Sequence, residues 1–147
     1  MTHARETIRT AFVTALDGET DAGNKVFNSR VYPLNANSLP GLVVYTPQEQ
    51  VTTDTIGYPR RQTRELQVVV EAYSKTVNEA DKVIDDLGEQ IEKAIAADPG
   101  LGGNVKDTML AGVQVTLAAD GDVPVAVGIF TYTVLYQVRE NAPDNLI

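Results

Sequence analysis

The chain has 147 residues, a formal net charge of −8 and no cysteine. Its length fits one ordinary domain, and 43% hydrophobic with 22% charged residues is a globular rather than a disordered composition. The composition excludes disulfides and thiolate metal sites, offers no apolar run near the roughly 20 residues of a membrane span, and disfavours tight general binding to phosphate backbones.

The first predicted element is an amphipathic helix over residues 2–16, with Thr2 as its N-cap. Its apolar residues recur at helical spacing and form one stripe: Ile8, Phe12, Ala15 and Leu16. Residues 17–24 are turn formers throughout and predict an exposed loop. Residues 25–32 then alternate in polarity, which predicts a strand that ends at Pro33 and leads into a linker.

The run Leu42–Tyr45 predicts a buried strand. It is short, apolar and rich in residues that favour strands, and prolines lie on both sides of it. The polar segment 47–64 follows, and it predicts either a β-hairpin arm or a partly disordered loop between two strands. A polar connection longer than about 12–15 residues in a compact domain is usually functional or mobile.

The clearest strand and the clearest helix follow the polar segment. Residues Glu65–Tyr73 alternate, with an apolar face and a mixed face. A helix is predicted over Thr76–Ala97, opened by Thr76 and Glu79 at capping-box spacing and ended by Asp-Pro-Gly. Its apolar stripe comprises Ala80, Val83, Ile84, Leu87, Ile91, Ala94 and Ile95.

The C-terminal third predicts an antiparallel hairpin of strands 109–118 and 125–138, joined by an Asp-Gly turn, and then a loose tail over 140–147. The whole order predicts a single α+β domain over 1–147. We expect a mostly antiparallel or mixed β-sheet with two helices packed on one face and an extended β-hairpin arm.

The residues offer little for catalysis or for cofactor and metal binding. His3 is the sole histidine, which argues against a histidine-dependent triad or a multi-histidine metal site. Asp85 and Asp86 are adjacent on a helix and diverge by about 100°, as expected of a solvated face. The Asp120-Gly-Asp122 stretch lacks the rest of a calcium loop and predicts a turn. We therefore predict no catalytic, cofactor-binding or metal residues, and no enzyme activity.

Arg60, Arg61 and Arg64 form the one basic cluster in an acidic chain, and Tyr58 lies beside them. A solvated strand edge protected by charge is the plainest interpretation. Alternatively, the cluster docks on an acidic partner, such as a neighbouring copy, with Tyr58 as an anchor, because Tyr and Arg are enriched at interface hot spots. A nucleic-acid contact is a third alternative. These four residues are the candidate interface.

The order of the elements resembles one family. A helix and a short strand lead to Leu39-Pro-Gly-Leu-Val-Val-Tyr-Thr and a long polar arm. The strand Leu66–Tyr73, an acidic helix over Asn78–Ala97 and the closing strand Phe130–Tyr136 follow. This arrangement resembles the tail terminator (tail completion) proteins of long-tailed bacteriophages, which include the lambda-type minor tail protein U. The resemblance covers nearly the whole chain.

The resemblance implies a homohexameric ring that caps the tail tube, ends its polymerisation and presents a surface to the head–tail connector protein. DNA would pass through the lumen without specific binding, and no cofactor or membrane would be involved. The protein would lie at the head-proximal end of the virion tail, and in the host cytoplasm during assembly. The resemblance implies an inter-subunit or tube-facing role for the arm. A head–tail connector or neck subunit of the same virion, or a small ligand-binding domain, are the alternatives.

Overall fold

The computed structural model describes residues 2–28, 40–75, 80–118 and 125–147. Within these ranges the elements are α1 (Ala4–Leu16), β1 (Val26–Phe27), β2 (Gly41–Thr53), β3 (Arg61–Lys75), α2 (Ala80–Ala96), β4 (Asp107–Ala118) and β5 (Val125–Arg139). The strands form a sheet in the order β1-β2-β3-β5-β4, with β1 parallel to β2 and all other neighbours antiparallel. The predicted α+β class with a mixed sheet is confirmed.

The hydrophobic core lies between one face of the sheet and the two helices. Both predicted helical stripes enter it, and Ile8, Phe12 and Leu87 are completely buried. The Phe12 ring meets the Tyr132 ring edge to face, with centroids 5.5 Å apart. The strands contribute alternate residues to this core, among them Leu42, Val44, Leu66, Val68, Val70, Phe130, Tyr132, Val134 and Tyr136. Because successive side chains of a strand point to opposite faces, these alternate apolar residues define the sheet face that the helices cover.

Strand β2 continues well beyond the predicted end at Tyr45. Its pairing with β3 shifts between Tyr45 and Gln48, so that Thr46 and Pro47 together lie opposite Val68. Such a bulge accommodates Pro47, which has no N–H to donate to a regular ladder. The strand-ending effect expected of this proline is therefore absent, and β2 runs on to Thr53.

The polar segment 47–64 lies largely within the sheet. Strands β2 and β3 form a hairpin that pairs as far as Thr53 with Gln62, and residues 54–60 connect them. On its other side β3 pairs with β5 from Arg61–Arg139 onward. Residues 62–64 are thus flanked by strands on both sides, and an arm that extends away from the subunit stays a prediction.

The ends of several other elements differ from their predicted positions or lie outside the described residues. His3, rather than Thr2, caps α1: its Nδ1 accepts a hydrogen bond from the Arg5 main-chain N–H at 3.1 Å. Of the predicted strand 25–32, the described part contributes only Val26–Phe27. The remainder of that strand and its linker, the Thr76–Glu79 capping box and the 119–124 turn lie outside the described residues. The predicted antiparallel pairing of β4 with β5 is present from Asp107–Leu135 to Ala118–Val125.

The C-terminal segment differs from the loose tail that its polar sequence suggested. The Pro143 carbonyl accepts a hydrogen bond from the Ala4 N–H, and the Ile147 N–H donates to the Gln137 carbonyl, both at 3.0 Å. Leu146 packs against the core. Main-chain hydrogen bonds and one apolar side chain therefore attach this segment to α1 and β5.

Candidate interaction surfaces

The loop 54–60 between β2 and β3 presents apolar side chains to solvent. Ile56 is 95% exposed and Tyr58 is 76% exposed. The base of the loop is closed by hydrogen bonds from the Asp54 N–H to the Arg61 carbonyl and from the Arg61 N–H to Thr55 Oγ1, each 2.8 Å. A defined base therefore carries an exposed apolar tip, which we call the tip loop.

Arg60 connects the tip loop to the chain after β5. Its guanidinium lies 3.2 Å from Glu140 Oε1, and its main-chain N–H donates to the same oxygen at 3.1 Å. The Glu140 N–H in turn donates to the Arg60 carbonyl at 2.8 Å. The Arg60 side chain nevertheless remains 48% exposed. The ion pair thus orients Arg60 without removing it from the surface.

The structure separates the four candidate interface residues. Tyr58, Arg60 and Arg61 lie together at the hairpin end, and Arg61 is exposed. Arg64 lies further along β3, where its guanidinium is 3.0 Å from the Glu49 carboxylate and its side chain is only 11% exposed. Three of the four residues are therefore available at one surface, and Arg64 is held within the subunit.

Glu49 is the centre of a network that the sequence did not reveal. Its Oε1 accepts hydrogen bonds from Arg5 and from Arg64, each 3.0 Å, and its Oε2 accepts one from the Tyr136 hydroxyl. The carboxylate thereby joins α1, β2, β3 and β5. Only the polarity of Glu49 on a strand face could have signalled this network, because its partners are distant in sequence.

The surroundings of this network shift the pKa of two groups. Burial, followed by the hydrogen bond to Glu49, raises the pKa of the Tyr136 hydroxyl, so this group stays protonated and donates. Burial and the positive charges of Arg5 and Arg64 lower the pKa of His3, which favours the neutral imidazole that caps α1. Both oxygens of Glu49 have partners in these bonds. The arrangement is suited to fixing elements in place.

Strand β4 forms a second exposed surface at the edge of the sheet. Leu110, Val113 and Val115 are 39–50% exposed, and Met109 is 47% exposed. Leu110 pairs with Tyr132 and Val113 with Phe130, which places both on the sheet face that carries the helices. We call Leu110, Val113 and Val115 the edge patch. It is an extension of the core face that the described helices leave partly uncovered.

A shallow, open depression of about 440 Å³ lies between α1 and the loop that follows α2. Across 2–28, 40–75, 80–118 and 125–147, no cluster of His, Asp and Glu is arranged to hold a metal ion. Neither described helix has the length and apolar composition to cross a membrane.

An α+β domain whose exposed apolar residues lie on a loop and on a strand edge is typical of a subunit that acts by contact with other proteins. The family model described as phage minor tail protein U matches residues 3–130. The chain belongs to this family, as its resemblance predicted, and it is a structural protein of the virion.

Among solved structures, the chain is similar to a chain of the structure described as the virion of a native gene transfer agent (GTA) particle. The TM-score is 0.42 and the sequence identity 13%, and the match covers 87% of this chain and 94% of that chain. Comparison with curated protein sequences gives no significant match.

Proposed function

We propose that this protein forms a homohexameric ring that caps the tail tube, ends its polymerisation and provides the joining surface for the head–tail connector protein. The observation that carries this proposal is the presence of two different exposed surfaces, the tip loop and the edge patch, on one subunit of the phage minor tail protein U family. Contacts between two different surfaces are heterologous, and heterologous contacts generate rings when the rotation closes.

The proposal assigns roles to the candidate interface. Tyr58, Arg60 and Arg61 contact a neighbouring subunit or the tube, because they are grouped at the exposed hairpin end. Arg64 contributes from within, by holding β3 against Glu49 of β2. The net charge of −8 per chain suits a passage through which DNA slides without being bound. The ring would sit at the head-proximal end of the tail and would assemble in the host cytoplasm.

The direct test is the native mass of the purified protein, alone and mixed with tail tube protein, over a range of concentrations. Native mass spectrometry and sedimentation velocity should both show a hexamer, either alone or on the tube. A particle that stays monomeric at high concentration, with tube protein present, would contradict the proposal. Pull-down against tube protein and against portal-side proteins separates the terminator from the connector or neck subunit, which would bind only the latter.

A further inference from the structure

We propose that the partly uncovered face of β4 beside α2, which we call the groove, receives the tip loop of a second copy of this chain. The inference rests on the proposed ring and names the two surfaces that meet in it. It assigns the edge patch as the floor of the acceptor site, acidic residues of α2 as its wall, and Ile56 with Tyr58 as the inserted side chains.

The floor is apolar and carries no charge. Between Thr108 and Thr116, β4 contains neither a charged residue nor a proline. Exposed edge strands are normally protected by such residues, so an unprotected apolar edge indicates a strand that is covered in the assembled protein. In a chain of net charge −8, this is also a surface where two copies can meet without charge repulsion.

The wall is acidic. Successive residues of a helix are turned by about 100°, which places Asp81, Asp85 and Glu92 on the side of α2 opposite Gln90. Gln90 accepts a hydrogen bond from the Asp21 N–H at 2.8 Å, so its side of α2 faces the segment that follows α1. The acidic residues therefore lie on the other side, toward β4, and all three are exposed.

Two contacts place this wall beside the floor. A Cβ built on Gly88 would come within 2.8 Å of the Phe130 ring, so the side of α2 that carries Gly88 packs directly on β5. Residues of α2 also contact residues of β4 itself. Phe130 and Tyr132 pair with Val113 and Leu110, respectively. The carboxylates thus border the edge patch.

The tip loop has the complementary chemistry. Ile56 and Tyr58 offer apolar surface for the floor, and Arg60 and Arg61 follow within a few residues. Arginine suits a carboxylate partner because its guanidinium donates in a planar fork. Among the described residues Asp81, Asp85 and Glu92 have no ion-pair partner of their own, so they are open to cations from another chain.

The tip loop cannot reach the groove of its own subunit. Arg61 at the base of the loop pairs with Arg139, and Phe130 lies nine residues further along β5. At about 3.3 Å per residue this separates the loop base from the Val113 level by about 30 Å, whereas residues 54–60 extend about 12 Å at most. The contact therefore requires a second copy, and the donor and acceptor surfaces of each copy stay distinct.

The absence of native cysteine permits a clean cross-linking test. Protein carrying Tyr58→Cys and Val113→Cys should form, on mild oxidation, a ladder of covalent oligomers on a non-reducing gel. The matched control joins Tyr58→Cys with Thr10→Cys, an exposed position on α1, and should give at most a dimer. Equal ladders from both proteins, or no ladder from the first under conditions where the wild type is assembled, would overturn the inference.

A mixing experiment tests the direction of the contact. Ile56→Ser with Tyr58→Ser removes the apolar donor side chains, and Asp85→Lys with Glu92→Lys reverses the charge of the acceptor wall. Each variant alone should assemble at least about tenfold more weakly than wild type, because the first loses apolar burial and the second places like charges opposite Arg60 and Arg61. An equimolar mixture retains one complementary pair of surfaces and should form a dimer but no ring. Circular dichroism should show native folding in both variants.

The outcomes separate this inference from the proposed function. If the wild type forms rings and both variants form them equally well, the inference is wrong and the ring remains. If the wild type fails to assemble even with tube protein, the ring proposal itself fails. If a variant does not fold, the cysteine pair decides, because its substitutions lie at exposed positions that contribute little to the core. Rings that form only on the tube, with no ladder, would assign the groove to tube protein and overturn the inference.

Discussion

Arg64 and Glu49 form an ion pair across β3 and β2, with 3.0 Å between Nη1 and Oε1 and with both side chains nearly buried, at 11% and 8% exposure. The same carboxylate receives Arg5 and the Tyr136 hydroxyl. The stability of the fold with a carboxylate in this position depends on the groups that donate hydrogen bonds to it, because an unpaired buried charge lowers the free energy of unfolding.

Replacing Arg64 with methionine should therefore destabilise the fold. The methionine retains an apolar side chain but removes the guanidinium, and the expected loss is about 3 kcal/mol, the lower end for breaking a buried pair, since Arg5 and Tyr136 remain. Urea unfolding measures it. The matched control, Arg61→Met, lies on the same strand at an exposed position and should change stability by less than about 0.5 kcal/mol. Similar losses in the two variants would contradict the structural role of Arg64.

Leu87→Ala tests the packing of α2 on the sheet. Leu87 is completely buried, so its truncation removes apolar contacts and leaves a cavity at an expected cost of about 2–5 kcal/mol. Thermal and urea unfolding give the free energy. Val113→Ala shortens a half-exposed apolar residue and serves as the comparison, with a much smaller loss expected. A Leu87 variant as stable as the Val113 variant would show that α2 does not pack as described.

Gly88→Ala should destabilise the protein although alanine is the better helix former. The added Cβ would lie 2.8 Å from Cε1 and Cζ of Phe130, so the ring has to move within the core. The free-energy cost of overpacking is about 1–3 kcal/mol, which is at least as large as the gain of about 1 kcal/mol in helix propensity. Combining it with Phe130→Leu frees this space, and in that background Gly88→Ala should no longer destabilise. A stabilising single substitution would be the opposite of what this contact requires.

His3 should titrate below its ordinary pKa of 6.5 in the folded protein, because burial and the charges of Arg5 and Arg64 lower its pKa. A lowered pKa means that the folded state favours the neutral imidazole. The contribution of His3 to stability is then fully present above pH 6.5 and is lost as the pH falls through the folded pKa. NMR titration can follow this one imidazole, since the chain has no other histidine. The urea-unfolded chain gives the reference, and a folded midpoint at or above it would refute the prediction.

Arg60→Glu combined with Arg61→Glu should weaken assembly and leave the subunit folded. Exposed charges contribute little to fold stability, and the Arg60 pair with Glu140 is partly solvated. Sedimentation velocity compares the variant with wild type, and circular dichroism checks its folding. Arg60→Lys with Arg61→Lys, which keeps the charge, is the control and should assemble better than the glutamate variant. Assembly identical to wild type in the glutamate variant would remove the two arginines from the interface.

Local patterns predicted most of the elements. The stripe of Ile8, Phe12 and Leu16 and that of Ile84, Leu87 and Ile91 all lie in the core, because a helical period places such residues on one side whatever lies opposite. The boundaries were less predictable. Pro47 suggested the end of a strand, and only pairing with β3 showed a bulge that lets β2 continue.

The candidate interface was predictable only in part. The exposed loop with Tyr58, Arg60 and Arg61 follows from a polar stretch rich in turn formers, which water solvates in any fold. Arg64 belongs to the same basic cluster in sequence, but on β3 its alternate position turns it toward Glu49. Arg61 and Arg64 are three residues apart on β3, so their side chains point to opposite faces of the sheet. This alternation makes Arg61 a surface residue and Arg64 an internal one.

Local patterns were enough to assign the helices, the strands and their apolar faces, because each of these depends on neighbours a few residues away. Only the folded chain shows that Glu49 meets Tyr136, 87 positions away, and that β4 occupies the sheet edge with its apolar side chains exposed. Strand order and register set these relationships. They join residues that no local pattern connects, because the register of each strand pair depends on burying one face of the whole sheet against its helices.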